Sequence, residues 1–244
     1  MSRGNKLELV YRAEDFSVGA AWTGVEKELT NLGLGRDSYS SDGVETSAEL
    51  LREKTSQPGS NGFHVDAQAL VADCGIVRNR GLALVFIETM QLDGLLCRQW
   101  IQSLSGIGSF IQAQHVDVEY DFWQNATDPL QYRSLGKQLD HAALKYDAEL
   151  DHQFVDISAN PGRRVLQDGY VEAVASQMWF GDAFWRVSKM DRELLLTCDW
   201  LNCNEVMDGR ILEVVAWPRL FKDSTGEEGA AQVRLRSTLY LGIS

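Results

Sequence analysis

Asp117 and Glu119, separated only by Val118, are the first residues in this chain whose spacing could do chemistry. On a strand such a pair stands side by side and can hold a divalent cation, as in metal-dependent nucleases. That chemistry also wants a nearby lysine, and two residues beyond Glu119 stands Asp121 instead. Cys198 and Cys203 have four residues between them, at the loose edge of zinc spacing, and no second close Cys or His pair completes four ligands. His64, His115, His141 and His152 fall in no HExxH or HxH arrangement. There is no GxSxG elbow, since Ser103-Leu104-Ser105-Gly106 lacks the first glycine. Gly106-Ile107-Gly108 lacks the third glycine of a dinucleotide site, and no GxxxxGK[ST] occurs. The sequence therefore offers no catalytic residue, no metal ligand set and no cofactor motif, and a non-enzymatic role is expected.

The acidic residues must then be read through the elements that carry them. In His115–Trp123, HVDVEYDFW, the alternation predicts a strand with Val116, Val118, Tyr120 and Phe122 on one face. His115, Asp117, Glu119 and Asp121 fall on the other face, with Trp123 at the end as an aromatic anchor. Thr127-Asp128-Pro129 predicts a helix start, and that helix is expected to run to about Leu150. Asp147, Glu149 and Asp151 would crowd its C-terminus, where the helix dipole prefers cations, and form a second acidic cluster.

Around these, Lys6 to Tyr11 predicts an opening strand, and Ser17 caps a helix over Val18 to Leu32 that Gly33 stops. A loop follows from Leu34 to Gly43, then a short helix around Thr46 to Lys54, then a break at residues 55–62 suited to a mobile loop. Leu82 to Met90 predicts a buried strand, and Leu95 to Gln112 a helix. The C-terminal half predicts strands at Phe154 to Ile157, Leu194 to Cys198, Arg210 to Trp217 and Val233 to Leu241, with a hairpin turn at Asp208-Gly209. The expected fold is α+β: one domain over residues 1–244, a mixed or antiparallel sheet with flanking helices, and a β-rich C-terminal half.

Charge narrows the partners. With 23 Lys and Arg against 35 Asp and Glu, the net charge is −12. Such a field repels nucleic acid and anionic membrane surfaces and speeds encounter with a basic protein. The N-terminus has no apolar run suited to export, and no segment is apolar enough to span a bilayer. A cytoplasmic location is expected, with the four cysteines reduced.

The tryptophan-rich segments WFGDAFW (179–185), CDWLN (198–202) and VVAWPRLF (214–221) give the chain a likeness to bacterial toxin-immunity proteins. It resembles the fifty-second immunity family of polymorphic toxin systems, which is paired with restriction-endonuclease-fold nuclease toxins and found with type VI secretion. That family carries a GG-x-x-W-N motif, which Phe180-Gly181-Asp182-Ala183-Phe184-Trp185 approximates with one glycine and no asparagine. The resemblance implies an α+β protein that binds and neutralises a cognate nuclease toxin in the cytosol. Asp117, Glu119, Asp121 and Trp123, with Asp147, Glu149 and Asp151, are the expected partner-binding residues. The same acidity and aromatics would serve a secretion adaptor or chaperone, and a metal-dependent hydrolase with a dispersed acidic site is the third reading.

Overall fold

The computed structural model describes residues 4–240. In chain order the elements are β1 (Asn5–Arg12), α1 (Val18–Asn31), β2 (Ser38–Ser41), β3 (Val44–Ser47), α2 (Ala48–Ser56), β4 (Gly62–Asp66), β5 (Leu70–Val77) and β6 (Leu82–Thr89). Then come α3 (Gly94–Leu104), β7 (Phe110–Asp117), α4 (Val118–Asn125), α5 (Pro129–Ser134), β8 (Leu144–Asp147), β9 (His152–Val155), β10 (Val165–Gln167) and β11 (Tyr170–Glu172). The chain continues through β12 (Gln177–Gly181), α6 (Asp182–Ser188), α7 (Arg192–Leu196), β13 (Asn202–Val206), β14 (Ile211–Val215) and α8 (Gly226–Tyr240).

Ten strands form one sheet in the order β13-β14-β12-β7-β1-β6-β5-β4-β2-β3. Every neighbouring pair in it is antiparallel. The fold is α+β, and the first strand lies inside the sheet: Asn5 sits opposite both Thr89 of β6 and Asp117 of β7. Because helices cover both faces of that region, β1 is buried on both sides from Leu7 to Tyr11. Leu7, Leu9 and Tyr11 meet Trp22 of α1 and Trp100 of α3 in one core. Val10 faces the other core, with Phe180, Phe184 of α6 and Leu235 and Leu239 of α8. Glu8 is the charged exception on that second face and is ion-paired with Arg164.

Several sequence expectations hold closely. Ser17 caps α1 by accepting from Ala20 N at 3.2 Å, and Gly33 adopts φ +72° just past the helix. Asp208 and Gly209, both at positive φ, turn β13 into β14. Others are corrected. The break expected at 55–62 narrows to 57–61, because α2 extends to Ser56 and β4 begins at Gly62. The loop expected at 34–43 contains β2, and the helix expected over 95–112 ends at Leu104, where Gly106 and Gly108 weaken it and β7 takes the rest. Leu194 to Cys198 falls in α7 and the turn after it, not in a strand. The strand expected at Val233–Leu241 is the second half of α8 over its described residues, Leu241 lying outside them. Gln232, Leu235 and Leu239 are buried there at i, i+3, i+7, a helical stripe that also satisfies a period of two at Val233, Leu235 and Leu239. From Tyr170 onward the described residues thus form α6, α7 and α8 as well as strands.

Candidate functional site

The acidic stretch changes element in its middle. β7 ends at Asp117, whose carboxylate Oδ1 accepts from Tyr120 N at 2.9 Å and so caps α4. Glu119 and Asp121 then occupy the first helical turn, where the positive end of the helix dipole favours carboxylates. This corrects the single strand expected over His115–Trp123. Asp117, Glu119 and Asp121 do not share a strand face, and the side-by-side Asp-x-Glu geometry of a metal-dependent nuclease is not formed. His115, expected on the solvent side, is buried in β7, and burial lowers its pKa. Among the described residues no group of three or more His, Cys, Asp or Glu is placed to hold a metal ion.

Helical spacing sends the three carboxylates to different places. Asp121 turns inward and is 6% exposed. Its Oδ2 accepts from Lys6 Nζ at 2.7 Å and its Oδ1 faces Arg164 Nε at 3.3 Å, while Arg164 also binds buried Glu8. Asn125 completes the cluster, donating to the Asp121 carbonyl at 2.8 Å and accepting from Arg164 N at 2.7 Å. A buried carboxylate needs this much compensation. Asp121 is therefore a fastener between β1, α4 and the 160–164 segment rather than a solvent-facing residue.

Asp117, Glu119 and Trp123 stay together, lining an open cleft of about 480 Å³ with Tyr120, Tyr132 and Asp223. Trp123 packs between Phe122 and Tyr132, with ring centroids 5.0 and 4.9 Å away. Tyr120 is held by its hydroxyl, which donates to Gln232 Oε1 of α8 at 2.7 Å, and burial raises its pKa to about 12. The segment Lys222–Ser224 forms the opposite wall, because Glu228 of α8 accepts from Lys222 N and Asp223 N at 2.8 and 3.0 Å. Hydrogen bonds from Thr225 keep the Asp223 carboxyl below its usual pKa.

Two lysines enter this cleft. Lys137 Nζ lies 5.4 Å from the Trp123 ring centroid, and Lys222 Nζ lies 3.2 Å from Asp117 Oδ2. Lys137 is carried there by the end of α5: Gly136 takes φ +64° and Lys137 N bonds back to Tyr132 O at 2.9 Å, which closes the helix. At exposed positions a cation over an aromatic ring and a surface ion pair are each worth only about 0.5–1 kcal/mol.

The second acidic cluster is not at a helix end. α5 stops at Ser134, and Asp147, Glu149 and Asp151 lie on the turn of the β8–β9 hairpin. Asp147 accepts from Glu149 N at 2.9 Å and Leu150 N at 3.1 Å, and Asp151, at φ +51°, bonds the Tyr146 hydroxyl. Two of the three carboxylates thus build the turn, and Glu149 is exposed. The hairpin returns to the base of α5, where Val155 N donates to Thr127 O at 2.8 Å. Along this excursion Leu130, Leu135, Tyr146 and Leu150 are exposed, a set of large apolar side chains that the sequence reading did not single out. Residues 117–156 carry nine carboxylates against three cations, half of the chain's net −12.

No helix among the described residues is long and apolar enough to cross a membrane. No family model matches the chain, and no curated protein matches it in sequence. Among solved structures, the Pseudomonas aeruginosa T6SS protein PA0821 is similar in fold, with a TM-score of 0.55 over 97% of this chain and 72% of that one. The two share 11% of their residues, so the likeness is one of architecture.

Proposed function

We propose that this is a cytoplasmic, non-enzymatic binding protein of a type VI secretion setting that neutralises a cognate nuclease toxin by covering part of its surface. The observation that carries the reading is the surface of residues 117–156: an aromatic cleft at its base, exposed leucines and a tyrosine along it, and half of the chain's net negative charge. Complementary charge accelerates capture of a basic partner, and aromatic and aliphatic anchors slow its release. A nuclease is basic where it holds phosphates, so it fits such a surface, whereas nucleic acid itself would be repelled. The fold likeness to a type VI secretion protein supports the setting.

Co-expression with the product of the adjacent gene tests this. Rescue of growth together with a stable complex is the expected result. A complex without rescue would replace inhibition by an adaptor or chaperone role, and metal-dependent hydrolysis by the isolated protein would overturn both.

A further inference from the structure

The cleft between α4 and the 222–224 segment already holds two cations, and both belong to the chain itself. Lys137 sits over the Trp123 ring and Lys222 sits on Asp117. They arrive from separate segments, one just past α5 and the other just before α8. Both are exposed, the Lys222 side chain by 67%. Glu119 lies beside them in solvent, with no ion-pair partner among the described residues. Resting on the reading that this surface meets a basic protein, we propose that the cleft receives an arginine side chain of that partner, and that Lys137 and Lys222 are placeholders which the incoming guanidinium displaces.

The chemistry favours the exchange. A guanidinium is planar and more weakly hydrated than an ammonium, stacks on an indole face, and offers a fork of N–H donors to a carboxylate. One arginine can therefore use the Trp123 face and the Glu119 or Asp117 oxygens together, whereas the resident lysines use one feature each. The cleft, at about 480 Å³, has room for that side chain with its flanking backbone. The displaced ammoniums return to water with little loss, since both are already largely hydrated. This arrangement has a signature of its own: deleting a cation from the cleft tightens binding by more than the same charge change elsewhere. A cleft whose lysines gripped a phosphate or an acidic peptide would respond in the opposite direction.

Hexa-arginine titrated into the full-length protein tests this, with tryptophan emission as the readout and Trp123→Phe used to isolate the contribution of Trp123. Lys137→Gln and Lys222→Gln should each tighten binding about threefold relative to Lys27→Gln, an equal charge change on α1, and Glu119→Gln should weaken it about threefold. Hexa-lysine should bind more weakly than hexa-arginine. The proposal is overturned if Lys137→Gln binds no more tightly than Lys27→Gln, or if hexa-arginine leaves the Trp123 signal unchanged. A toxin that Glu119→Gln neutralises as well as wild type also overturns it while leaving the inhibitor reading standing. Arginine capture without any toxin complex would overturn that reading alone.

Discussion

Lys6 Nζ and Asp121 Oδ2 meet at 2.7 Å, joining the second residue of β1 to the middle of α4. The contact makes the acidic helix part of the sheet's own ion network. Asp121→Ala should destabilise the protein by about 3 kcal/mol, because it strands Lys6 and weakens the hold on Arg164 in a site shielded from water. Urea unfolding midpoints check this; a loss below about 1 kcal/mol, the range of exposed pairs, would mean the network is solvated.

Two arginine–carboxylate pairs offer a controlled contrast. Arg98 grips Glu213 with two bonds, at 2.8 and 2.6 Å, and the Glu213 side chain is wholly buried in β14. Arg80 holds Asp168 at 2.9 Å, but the Asp168 side chain is 87% exposed. Arg98→Ala should cost about 2–3 kcal/mol and Arg80→Ala no more than about 0.5 kcal/mol, since only the first takes the countercharge from a buried carboxylate, leaving it the Gln177 hydrogen bond. The difference between their denaturant midpoints is the measurement.

At the cleft, stability and recognition should separate. Asp117→Ala removes the cap of α4 and should lower stability by about 1 kcal/mol, whatever it does to binding. Glu149→Lys lies in solvent and should leave the unfolding midpoint unchanged, whereas Glu119→Lys also sets a cation in the first turn of α4 and should cost about 0.5–1 kcal/mol. Each should slow toxin association about threefold at low salt, an effect that shrinks as ionic strength rises. Stopped-flow association across a salt series checks this, and unchanged rates in both reversals would remove the 117–156 surface from the encounter.

Two histidines should give stability opposite dependences on pH. Burial lowers the pKa of His115 below 6.5, so below that pH the unfolded chain takes up a proton that the folded ring resists, and stability falls as pH falls. The Asp73 carboxylate, 2.5 Å from the ring, accepts a hydrogen bond from His64 Nδ1 and raises the pKa of His64. Its contribution is fully present below pH 6.5 and is lost as pH rises through the raised folded value. Comparing urea midpoints at pH 7.5 and 5.5, His115→Gln should shrink the acid loss of stability and His64→Gln should enlarge it.

How far the sequence spoke depended on whether one period alone fitted. β1 and α1 were legible because Ser17, Gly33 and the apolar spacing agree on one answer. HVDVEYDFW satisfies a period of two, yet Asp117 followed by Glu119 and Asp121 is equally a capped helix start, and the pleat of β7 ends where that cap forms. Residues 233–240 had the same ambiguity, and Glu227 and Glu228 ahead of them were the overlooked mark of a helix N-terminus. Gly136 was the overlooked stop for α5, and missing it carried Asp147, Glu149 and Asp151 onto a helix that does not exist. Of the cleft, Asp117, Glu119 and Trp123 were found from local chemistry. Lys137, Lys222 and Asp223 were not, because only the return of the chain past α5 and β14 brings them there.

The interior placement of β1 has a kinetic consequence. Its two neighbours, β6 and β7, are synthesised only about 70 or more residues later, and the sheet closes around β1 when β7 arrives. Pairings that distant in sequence make folding slow relative to helix formation. Until β7 emerges from the ribosome, β1 keeps an open edge, so the nascent chain is most exposed to aggregation over that interval.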